Sequence, residues 1–289
     1  MAEHSILITG ATGFIGGHLS RSLATAGHQV HALVRSAADQ LHPAVIQHRV
    51  ADSITEFPAV IDAVAPDVVV HLATMFAAQH EPDRLGEMVA ANVTFGAVVA
   101  EGCTRTGAKL VHATSAWQHY QGADFSPVSL YAATKQGLVD VLAYYTEVAG
   151  LRAAEVCLFD TYGPADPRHK LVWLLLDAAR TGRPLQLSSG RQLIDLTHVD
   201  DVVAAFAWAV DNEVAPRLVA RSGAPITIRE LVAVVEQVSR RRLVVEWGAR
   251  PDRPREMYTD WVVPGATTSW RPQIELVEGL AALWRAEFG

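Results

Sequence analysis

A tyrosine and a lysine stand four positions apart in the segment Tyr131-Ala-Ala-Thr-Lys135. On a helix this spacing places both side chains on one face, about 6 Å apart along the axis. A nearby ammonium stabilises a phenolate, so the pair predicts a tyrosine whose pKa is lowered enough for proton transfer near neutral pH. Taken alone, the spacing is more typical of an exposed pair on a helix surface, so its meaning depends on the preceding sequence.

An apolar run that begins at Ile6 leads directly into glycines at positions 10, 13 and 16. Gly10 and Gly13 permit a tight turn and the close approach of a pyrophosphate to N–H groups at a helix N-terminus, and Gly16 permits close packing of helix on strand. The spacing is GxxGxxG, and an ordinary strand-to-helix turn is the alternative. Because an apolar strand precedes the glycines and an amphipathic pattern follows them, we interpret them as a dinucleotide-binding turn.

Short apolar runs alternate with helical patterns up to Pro164, which is typical of a parallel sheet covered by helices on both faces. After Pro164 the rhythm changes to helices separated by brief strands. We therefore predict an α/β fold. Residues 1–163 form a Rossmann doubly wound sheet with a returning segment at about 190–220, and residues 164–289 form mainly a smaller C-terminal α+β substrate lobe.

The predicted elements follow from these patterns. Strands are predicted at Ser5–Thr9, Gln29–Val34, Ile46–Val50, Val68–Leu72, Lys109–Thr114 and Arg152–Leu158, with brief strands at Leu185–Leu187, Leu218–Val219 and Val244–Glu246. After Pro164, helices are predicted at Lys170–Thr181, Val199–Val210, Ile228–Arg240 and Ile274–Glu287.

The chain has 289 residues, half of them hydrophobic, and a formal net charge of −7. The acidic balance argues against nucleic acid as a partner. No apolar run reaches the roughly 18 residues of a membrane span, and the first strand begins too early to leave room for a signal peptide. Cys103 and Cys157 are isolated, as idle thiols in a reducing compartment are. We expect a cytoplasmic protein that does not associate with a membrane and does not bind a metal.

The tyrosine-lysine pair and the glycine turn together resemble the extended short-chain dehydrogenase/reductase family, whose members are related to nucleotide-sugar epimerases and dehydratases. Further matches follow in the family's order along nearly the whole chain. They are Asp52, His71-Leu72-Ala73, Asn92, Ser115, Tyr162-Gly163-Pro164, His198-Val199-Asp200-Asp201 and Trp270-Arg271-Pro272.

The resemblance implies a catalytic group of Ser115, Tyr131 and Lys135. Ser115 ends a buried strand, and its hydroxyl would hold the substrate carbonyl beside Tyr131. A hydride that reaches a carbonyl carbon builds negative charge on the oxygen, which two O–H groups would stabilise. Tyr131 would deliver the proton, and Lys135 would also bind the nicotinamide ribose. Thr114 is the alternative to Ser115.

Arg35 and Ser36 follow the second strand, where an acidic residue would favour NAD. A guanidinium and a hydroxyl can bind a 2′-phosphate, which favours NADP(H), although Arg35 stacked on the adenine or lying in solvent is the alternative. The resemblance implies that Asp52 and Ser53 bind the adenine edge, while an aspartate there is also a common helix cap. The expected cofactor-binding residues are Gly10, Thr12, Gly13, Phe14, Ile15, Gly16, Arg35, Ser36, Asp52, Ser53, Leu72, Ala73, Thr74, Asn92, Tyr131 and Lys135.

Ala116 and Trp117 follow Ser115, where dehydratases of the resembling family carry an Asp-Glu pair. Elimination needs this extra acid and base, so their absence argues against it. Epimerases need no such pair, but they retain NAD and usually carry an acidic residue in place of Arg35. The residues favour an NADPH-dependent ketoreductase; a nucleotide-sugar 4-epimerase, a reductase of another carbonyl compound and a non-catalytic NADP(H)-binding sensor are the alternatives.

The segments 115–120, 127–135 and 158–164 are similar to bacterial reductases of nucleotide-activated 4-keto-6-deoxyhexoses, among them CDP-abequose and CDP-paratose synthases and dTDP-linked 4-ketoreductases. The resemblance implies a CDP- or dTDP-linked 4-keto sugar as substrate. Arg250 stands where relatives bind the diphosphate, and a solvated loop is the alternative for its basic run. The expected substrate-binding residues are Thr74, Trp117, Gln118, Asp160, Thr161, Lys170, Arg191 and Arg250.

Two residues depart from the family pattern and leave the nucleotide and the sugar open. Ile194 replaces an arginine that commonly contacts a phosphate, and Asp160 replaces an asparagine. An aspartate beside a diphosphate is unfavourable unless it meets a sugar hydroxyl or an arginine. His119 has no necessary role as an acid. Relatives commonly pair through two long helices, so we expect a homodimer with a four-helix interface formed by residues 84–105 and 131–148.

Overall fold

The computed structural model describes residues 3–213, 217–267 and 270–288. Its strands are β1 (Ser5–Thr9), β2 (Gln29–Val34), β3 (Ile46–Arg49), β4 (Val68–His71), β5 (Lys109–Ser115), β6 (Ala153–Leu158), β7 (Asp160–Tyr162), β8 (Leu185–Leu187), β9 (Leu193–Ile194), β10 (Leu196–His198), β11 (Arg217–Ala220), β12 (Ile226–Thr227), β13 (Val245–Trp247) and β14 (Ala266–Thr267).

The α-helices of the described residues are α1 (Phe14–Thr25), α2 (Ser53–Val64), α3 (Leu85–Val89), α4 (Phe95–Thr106), α5 (Leu130–Ala149), α6 (Leu171–Thr181), α7 (Val199–Asp211), α8 (Ile228–Ser239) and α9 (Leu276–Leu283). A π-helical turn, Ala90–Thr94, joins α3 to α4, and a second, Trp284–Phe288, follows α9. Within the described ranges, every helix is too short or too polar to span a lipid bilayer.

The central sheet has eight strands in the order β14-β11-β6-β5-β4-β1-β2-β3, and neighbouring strands run parallel. Alternate residues of β1 face opposite sides. Leu7 joins a buried core with α2, α4 and α5, whereas Ile6 and Ile8 join a second core with α1 and α7. The predicted Rossmann fold, with helices on both faces of a doubly wound parallel sheet, is therefore confirmed.

The smaller lobe has its own core, in which Leu175 of α6, Leu231 of α8 and Leu280 of α9 are buried together. Three two-stranded sheets, β10-β7, β12-β9 and β13-β8, connect this lobe to the end of the main sheet. Two segments from the second half of the chain return to the main sheet: β11, which pairs with β6, and β14, which pairs with β11. The second of these lies beyond the predicted returning segment.

Most predicted elements agree with the structure to within one or two residues at each end. The short strands β7, β9, β10, β12 and β14 have no counterpart among the predictions, because two or three residues show no alternation that a sequence pattern can reveal. The helix predicted at Ile274–Glu287 begins at Leu276 and is α-helical only to Leu283, after which the backbone forms a π-helical turn.

Candidate active site

The glycine turn joins β1 to α1 at the carboxyl edge of the sheet. Gly10 has φ of +75°, and its carbonyl accepts the N–H of Gly13 at 3.0 Å. A Cβ on Gly10 would lie 2.6 Å from the main-chain nitrogen of Ala73, and one on Gly16 would overlap the Gly10 carbonyl. No side chain caps the first turn of α1. Its N–H groups are therefore open to an anionic group that comes close to the backbone, which is how a dinucleotide pyrophosphate binds.

Tyr131 and Lys135 lie in the first two turns of α5, whose N-terminus is capped by Ser129. Lys135 Nζ donates a hydrogen bond of 2.9 Å to the carbonyl of Ala113, which lies on β5 two residues before Ser115. The helix is thereby attached to the strand that ends in the candidate hydroxyl. The structure thus attaches the first turns of α5, which carry Tyr131 and Lys135, to the end of β5 that carries Ser115.

The pKa values of the pair differ from the sequence-based prediction. Burial raises the pKa of Tyr131 to about 12, although the side chain of Thr74 and the charge of Arg168 act in the opposite direction. Burial lowers the pKa of Lys135 to about 8. The predicted lowering of the tyrosine pKa is therefore wrong for this geometry, because desolvation of the phenol outweighs the nearby charges. A phenol that stays protonated at neutral pH is the form that can donate a proton.

Ser115 and Gln118 form the first turn after β5. Ser115 Oγ accepts the N–H of Trp117 at 3.3 Å, and the N–H of Ser115 donates to Gln118 Oε1 at 2.9 Å. Gln118 is only 1% exposed, and its Nε2 donates to Gln136 Oε1. Gln118, which was expected to bind substrate, is therefore buried and lies outside the cavity lining. Its amide points into the protein and holds the turn that carries Ser115.

Asn92 lies buried in the π-helical turn before α4, and its amide makes four hydrogen bonds. The oxygen accepts from Thr74 Oγ1 at 2.9 Å and from the N–H of Met75 at 2.7 Å, while the nitrogen donates to the Met75 carbonyl and to Thr134 Oγ1, both at 3.0 Å. No hydrogen-bonding capacity of the amide remains for a ligand. Asn92, which was expected to bind the cofactor, therefore ties the loop after β4 to the first turn of α5.

The other residues expected to bind the cofactor surround the glycine turn at the carboxyl edge. Arg35 and Ser36 are exposed after β2. Asp52 Oδ1 accepts the N–H of Ile54 at 2.9 Å, so Asp52 caps α2, in which Ser53 is the first residue. The remaining expected residues lie in the turn itself, Thr12, Phe14 and Ile15, or directly after β4, Leu72, Ala73 and Thr74.

A cavity of about 1070 Å³ lies between the carboxyl edge of the sheet and the smaller lobe. Four of the residues expected to bind substrate line it: Trp117, Asp160, Thr161 and Lys170. The arginines of the lining are Arg253 and Arg255, whereas Arg191 and Arg250 are exposed residues outside it. Arg191 and Arg250, which were expected to bind substrate, therefore lie outside this cavity. The loop after β13 turns a later arginine of the same basic run inward.

The cavity lining carries charges of both signs. Its cations are Lys170, Arg253 and Arg255, and its carboxylates are Asp160, Asp166, Asp195, Glu256 and Glu287. Burial raises the pKa of Asp160, and Lys170, Arg253 and Arg168 act in the opposite direction. Lys170 Nζ lies 4.5 Å from the centre of the Phe76 ring, and the Arg253 guanidinium lies 5.6 Å from the Trp117 ring. Asp160 therefore has the cationic neighbours that an aspartate near a diphosphate requires. Lys170 and Arg253 are the groups of this wall that can receive a diphosphate.

Phe76 is a site residue that no sequence pattern singled out. Its ring is 43% exposed, lines the cavity and lies 5.0 Å from the ring centre of Tyr131, edge to face. It also contacts Trp117 at 5.7 Å between ring centres. An isolated aromatic residue in a loop carries no periodic signal, so only the folded chain shows that Phe76 lines the cavity and contacts the candidate phenol.

Comparisons with known proteins identify the family of the chain. The family model described as NAD dependent epimerase/dehydratase family matches residues 6–219. CDP-abequose synthase of Salmonella typhimurium is 24% identical over 212 residues, 72% of this chain and 70% of that protein. UDP-glucose 4-epimerase of Mycolicibacterium smegmatis is 27% identical over 308 residues, 95% and 96% of the two chains. The structure of MoeE5 in complex with UDP-glucuronic acid and NAD has a TM-score of 0.81, 26% identity and 96% coverage of each chain.

Proposed function

Since the chain belongs to the NAD-dependent epimerase/dehydratase family of nucleotide-sugar-modifying enzymes, we propose that it is an NADPH-dependent ketoreductase. Its substrate is a nucleotide-activated 4-keto-6-deoxyhexose, CDP- or dTDP-linked, which it reduces at C4. The observation that supports the proposal is the hydrogen bond that attaches Lys135, one helical turn after Tyr131, to the strand that ends at Ser115. This strand end lies beside a cavity whose wall has Ala116 and Trp117 where elimination would need two carboxylates.

The fit of the glycine turn to a dinucleotide supports a pyridine nucleotide as cofactor. Gly10, Gly13 and the first turn of α1 would hold the pyrophosphate, with Lys135 near the nicotinamide ribose. When bound, this cofactor supplies the hydride for the carbonyl carbon. The structure of MoeE5, which has the same fold, contains NAD and the nucleotide sugar UDP-glucuronic acid.

The chain's own residues act on the carbonyl oxygen. Ser115 Oγ and the Tyr131 hydroxyl donate hydrogen bonds to this oxygen, and these bonds strengthen as negative charge develops on it. Tyr131 then transfers its proton to the oxygen. The Lys135 ammonium, fixed by Ala113 at 2.9 Å, stabilises the phenolate that remains. Phe76 and Trp117, whose ring centres lie 5.7 Å apart, would cover one side of the reacting carbon.

The experiment that tests the proposal is a turnover assay with CDP- and dTDP-4-keto-6-deoxyhexoses in the presence of NADPH or NADH. We expect loss of NADPH absorbance with formation of the 4-hydroxy sugar. Interconversion of UDP-glucose and UDP-galactose without net consumption of NADPH would support the epimerase alternative. Tight binding of NADPH with no turnover of any sugar would support the sensor.

NADPH preference is proposed to depend on Arg35, which is exposed at the end of β2. A charge-assisted hydrogen bond from its guanidinium to the 2′-phosphate contributes about 1.5–3 kcal/mol, so Arg35→Ala is expected to weaken NADPH binding by roughly 10- to 100-fold. NADH binding should change little. Fluorescence titration measures both affinities, with Arg21→Ala, an exposed arginine on α1, as the control. Equal losses for the two nucleotides would contradict the proposed role.

The diphosphate of the substrate is proposed to bind Lys170 and Arg253, the cations that face Asp160. Arg253→Met keeps much of the side-chain volume but removes the charge, and we expect KM for the nucleotide sugar to rise about tenfold with kcat nearly unchanged. Arg250→Met is the matched control, because Arg250 lies in the same basic run but outside the cavity. A larger effect from Arg250→Met would restore the sequence-based assignment.

A homodimer and a cytoplasmic location remain proposals. Exposed apolar side chains occur on the segments predicted to pair: Leu85 and Val89 on α3, and Tyr144 and Val148 on α5. A four-helix interface would bury all four. Sedimentation of the wild type should give the mass of a dimer, and Val148→Asp, which would bury a charge in that interface, should give the mass of a monomer.

A further inference from the structure

A continuous chain of buried polar groups runs from β5 through β6 and β11 to the loop after Ser115. Thr114 Oγ1 donates to Glu155 Oε1 at 2.7 Å, and Arg217 Nε lies 3.2 Å from the same oxygen. Arg217 Nη1 lies 2.9 Å from His119 Nε2, and His119 Nδ1 lies 3.1 Å from the Ala123 carbonyl. The catalytic roles proposed above use none of these side chains.

The partners of His119 determine its protonation. The Ala123 carbonyl can only accept a hydrogen bond, so Nδ1 must carry a hydrogen. The Arg217 guanidinium can only donate, so Nε2 must be an unprotonated acceptor. His119 is therefore neutral in this arrangement. A proton on Nε2 would remove the acceptor and place a second cation against the guanidinium.

Residues 116–129 connect β5 to α5, and we call this segment the covering loop. His119 lies within it. The loop is internally tied, since the N–H of Tyr120 donates to the Ser126 carbonyl at 3.1 Å and the N–H of Ser126 to the Gln118 carbonyl at 2.8 Å. Trp117, near its start, lines the cavity. His119 itself is 1% exposed, lies outside the cavity lining and is held by Arg217 of β11. The bond from Arg217 to His119 therefore attaches the middle of the loop to the sheet, in addition to the bond from Gln118 to Gln136 of α5 and the bonds from Arg255 to Ser126 and Pro127.

We propose that Glu155, Arg217 and His119 are positioning residues that hold the covering loop against the sheet with neutral His119 as the required link. Through this loop they orient Trp117 toward the cavity, and through Thr114 they fix the end of β5 that carries Ser115. The effect on turnover rests on the proposed ketoreductase function. The effect on the loop does not.

The proposal has a defined pH dependence. Burial lowers the pKa of His119, the Ala123 carbonyl acts in the opposite direction, the charge of Arg217 lowers it further and Asp124 raises it. These are the charged groups around the imidazole, with Glu155 behind Arg217. The pKa of His119 is lowered while the loop is attached to the sheet. Neutral His119 therefore holds the loop at full strength above the ordinary histidine pKa of about 6.5. The hold weakens progressively as the pH falls below that value toward the lowered pKa of His119.

Amide hydrogen exchange of the covering loop tests the inference without any substrate. Relative to the rest of the protein, protection of the wild-type loop is expected to fall about tenfold or more between about pH 7.5 and about pH 5. His119→Gln keeps an acceptor near the position of Nε2 but does not titrate, so its loop protection should change less than about twofold. His42→Gln, on a loop at the other edge of the sheet, is the matched control and should behave as the wild type. Constant protection in the wild type, or an equal fall in His119→Gln, would overturn the inference.

A second variant separates positioning from folding. Arg217→Lys keeps a cation beside Glu155 but loses the second arm of the fork that reaches His119. We expect at least about a fivefold loss of loop protection already at neutral pH, with Tm and NADPH affinity close to wild type. In the turnover assay, kcat of the wild type should fall toward acid pH more steeply than that of His119→Gln. Unchanged loop protection in Arg217→Lys contradicts the inference, whereas absence of turnover in every variant contradicts only the proposed ketoreductase.

Discussion

Tyr131→Phe is expected to lower kcat by about 10²- to 10⁴-fold, the usual contribution of a positioned general acid. The phenol acts on the carbonyl oxygen only as negative charge develops there, so NADPH affinity should stay within about twofold of wild type. Since the ring already packs against Phe76 at 5.0 Å, phenylalanine fills the same space and the fold should be retained. Single-turnover kinetics with a 4-keto sugar and titration with NADPH measure the two effects.

The matched control for this variant is Tyr144→Phe. Tyr144 lies on the same helix, but it is 59% exposed and belongs to the face proposed for dimerisation. It should keep wild-type turnover. A Tyr131→Phe enzyme as active as wild type would disprove the role of Tyr131 as the proton donor and would direct attention to Ser115 as the remaining hydroxyl.

Gly16→Ala should abolish measurable NADPH binding and lower the free energy of unfolding by roughly 1–3 kcal/mol, the usual effect of overpacking. The added Cβ would overlap the carbonyl oxygen of Gly10 and lie 2.8 Å from the Cα of Ala11, and both belong to the backbone of the turn. Neither atom can rotate away, so α1 must shift from the strand. This shift would also displace the N–H groups proposed to bind the pyrophosphate.

The adjacent glycine provides the control for that experiment. A Cβ on Gly17 would lie 3.7 Å from the carbonyl oxygen of Ala11, which is ordinary contact, and alanine favours a helix. Gly17→Ala should therefore bind NADPH as the wild type does. Its Tm should equal that of the wild type or be slightly higher. Thermal unfolding and NADPH titration distinguish the two variants. Normal binding by Gly16→Ala would contradict the assignment of this turn as the cofactor site.

Features determined by local pattern were predictable from the sequence. The strand before Gly10 and the amphipathic helix after it each show their own periodicity, and the glycine spacing places a close approach of backbones between them. Likewise, the four-residue spacing of Tyr131 and Lys135 is one helical turn, whatever surrounds the helix. The meeting of these two motifs followed from the parallel order of the strands, because parallel strands place their carboxyl ends at one edge.

Side-chain direction in loops was not predictable in the same way. Trp117 and Gln118 are neighbours, yet one lines the cavity and the other is buried away from it, because the turn after β5 is a 3₁₀ helix with Ser115 as its cap. The inward arginine is Arg253 and not Arg250 for a similar reason. A loop has no fixed period, so its facing depends on tertiary contacts.

The electrostatic environment of the candidate site could not be predicted from the sequence either. The spacing of Tyr131 and Lys135 shows that a cation is near a phenol, and it shows nothing of the water excluded around both. In the folded chain the burial of Tyr131 dominates and raises the pKa to about 12. Asn92 also has an environment that its sequence position did not predict. Its place in the motif indicated the site, but only the folded chain shows that its amide makes all four of its hydrogen bonds within the protein.

One edge of the main sheet has a consequence for how the protein is made. At this edge β11 pairs with β6, and β14 pairs with β11. Both strands, residues 217–220 and 266–267, are separated from β6 by long stretches of the chain. During synthesis β1 to β6 can emerge and assemble while β6 still offers an unpaired edge to other nascent chains. We therefore expect ribosome-bound chains that stop before β11 to aggregate or recruit chaperones, and those that include β14 to be released from this hazard.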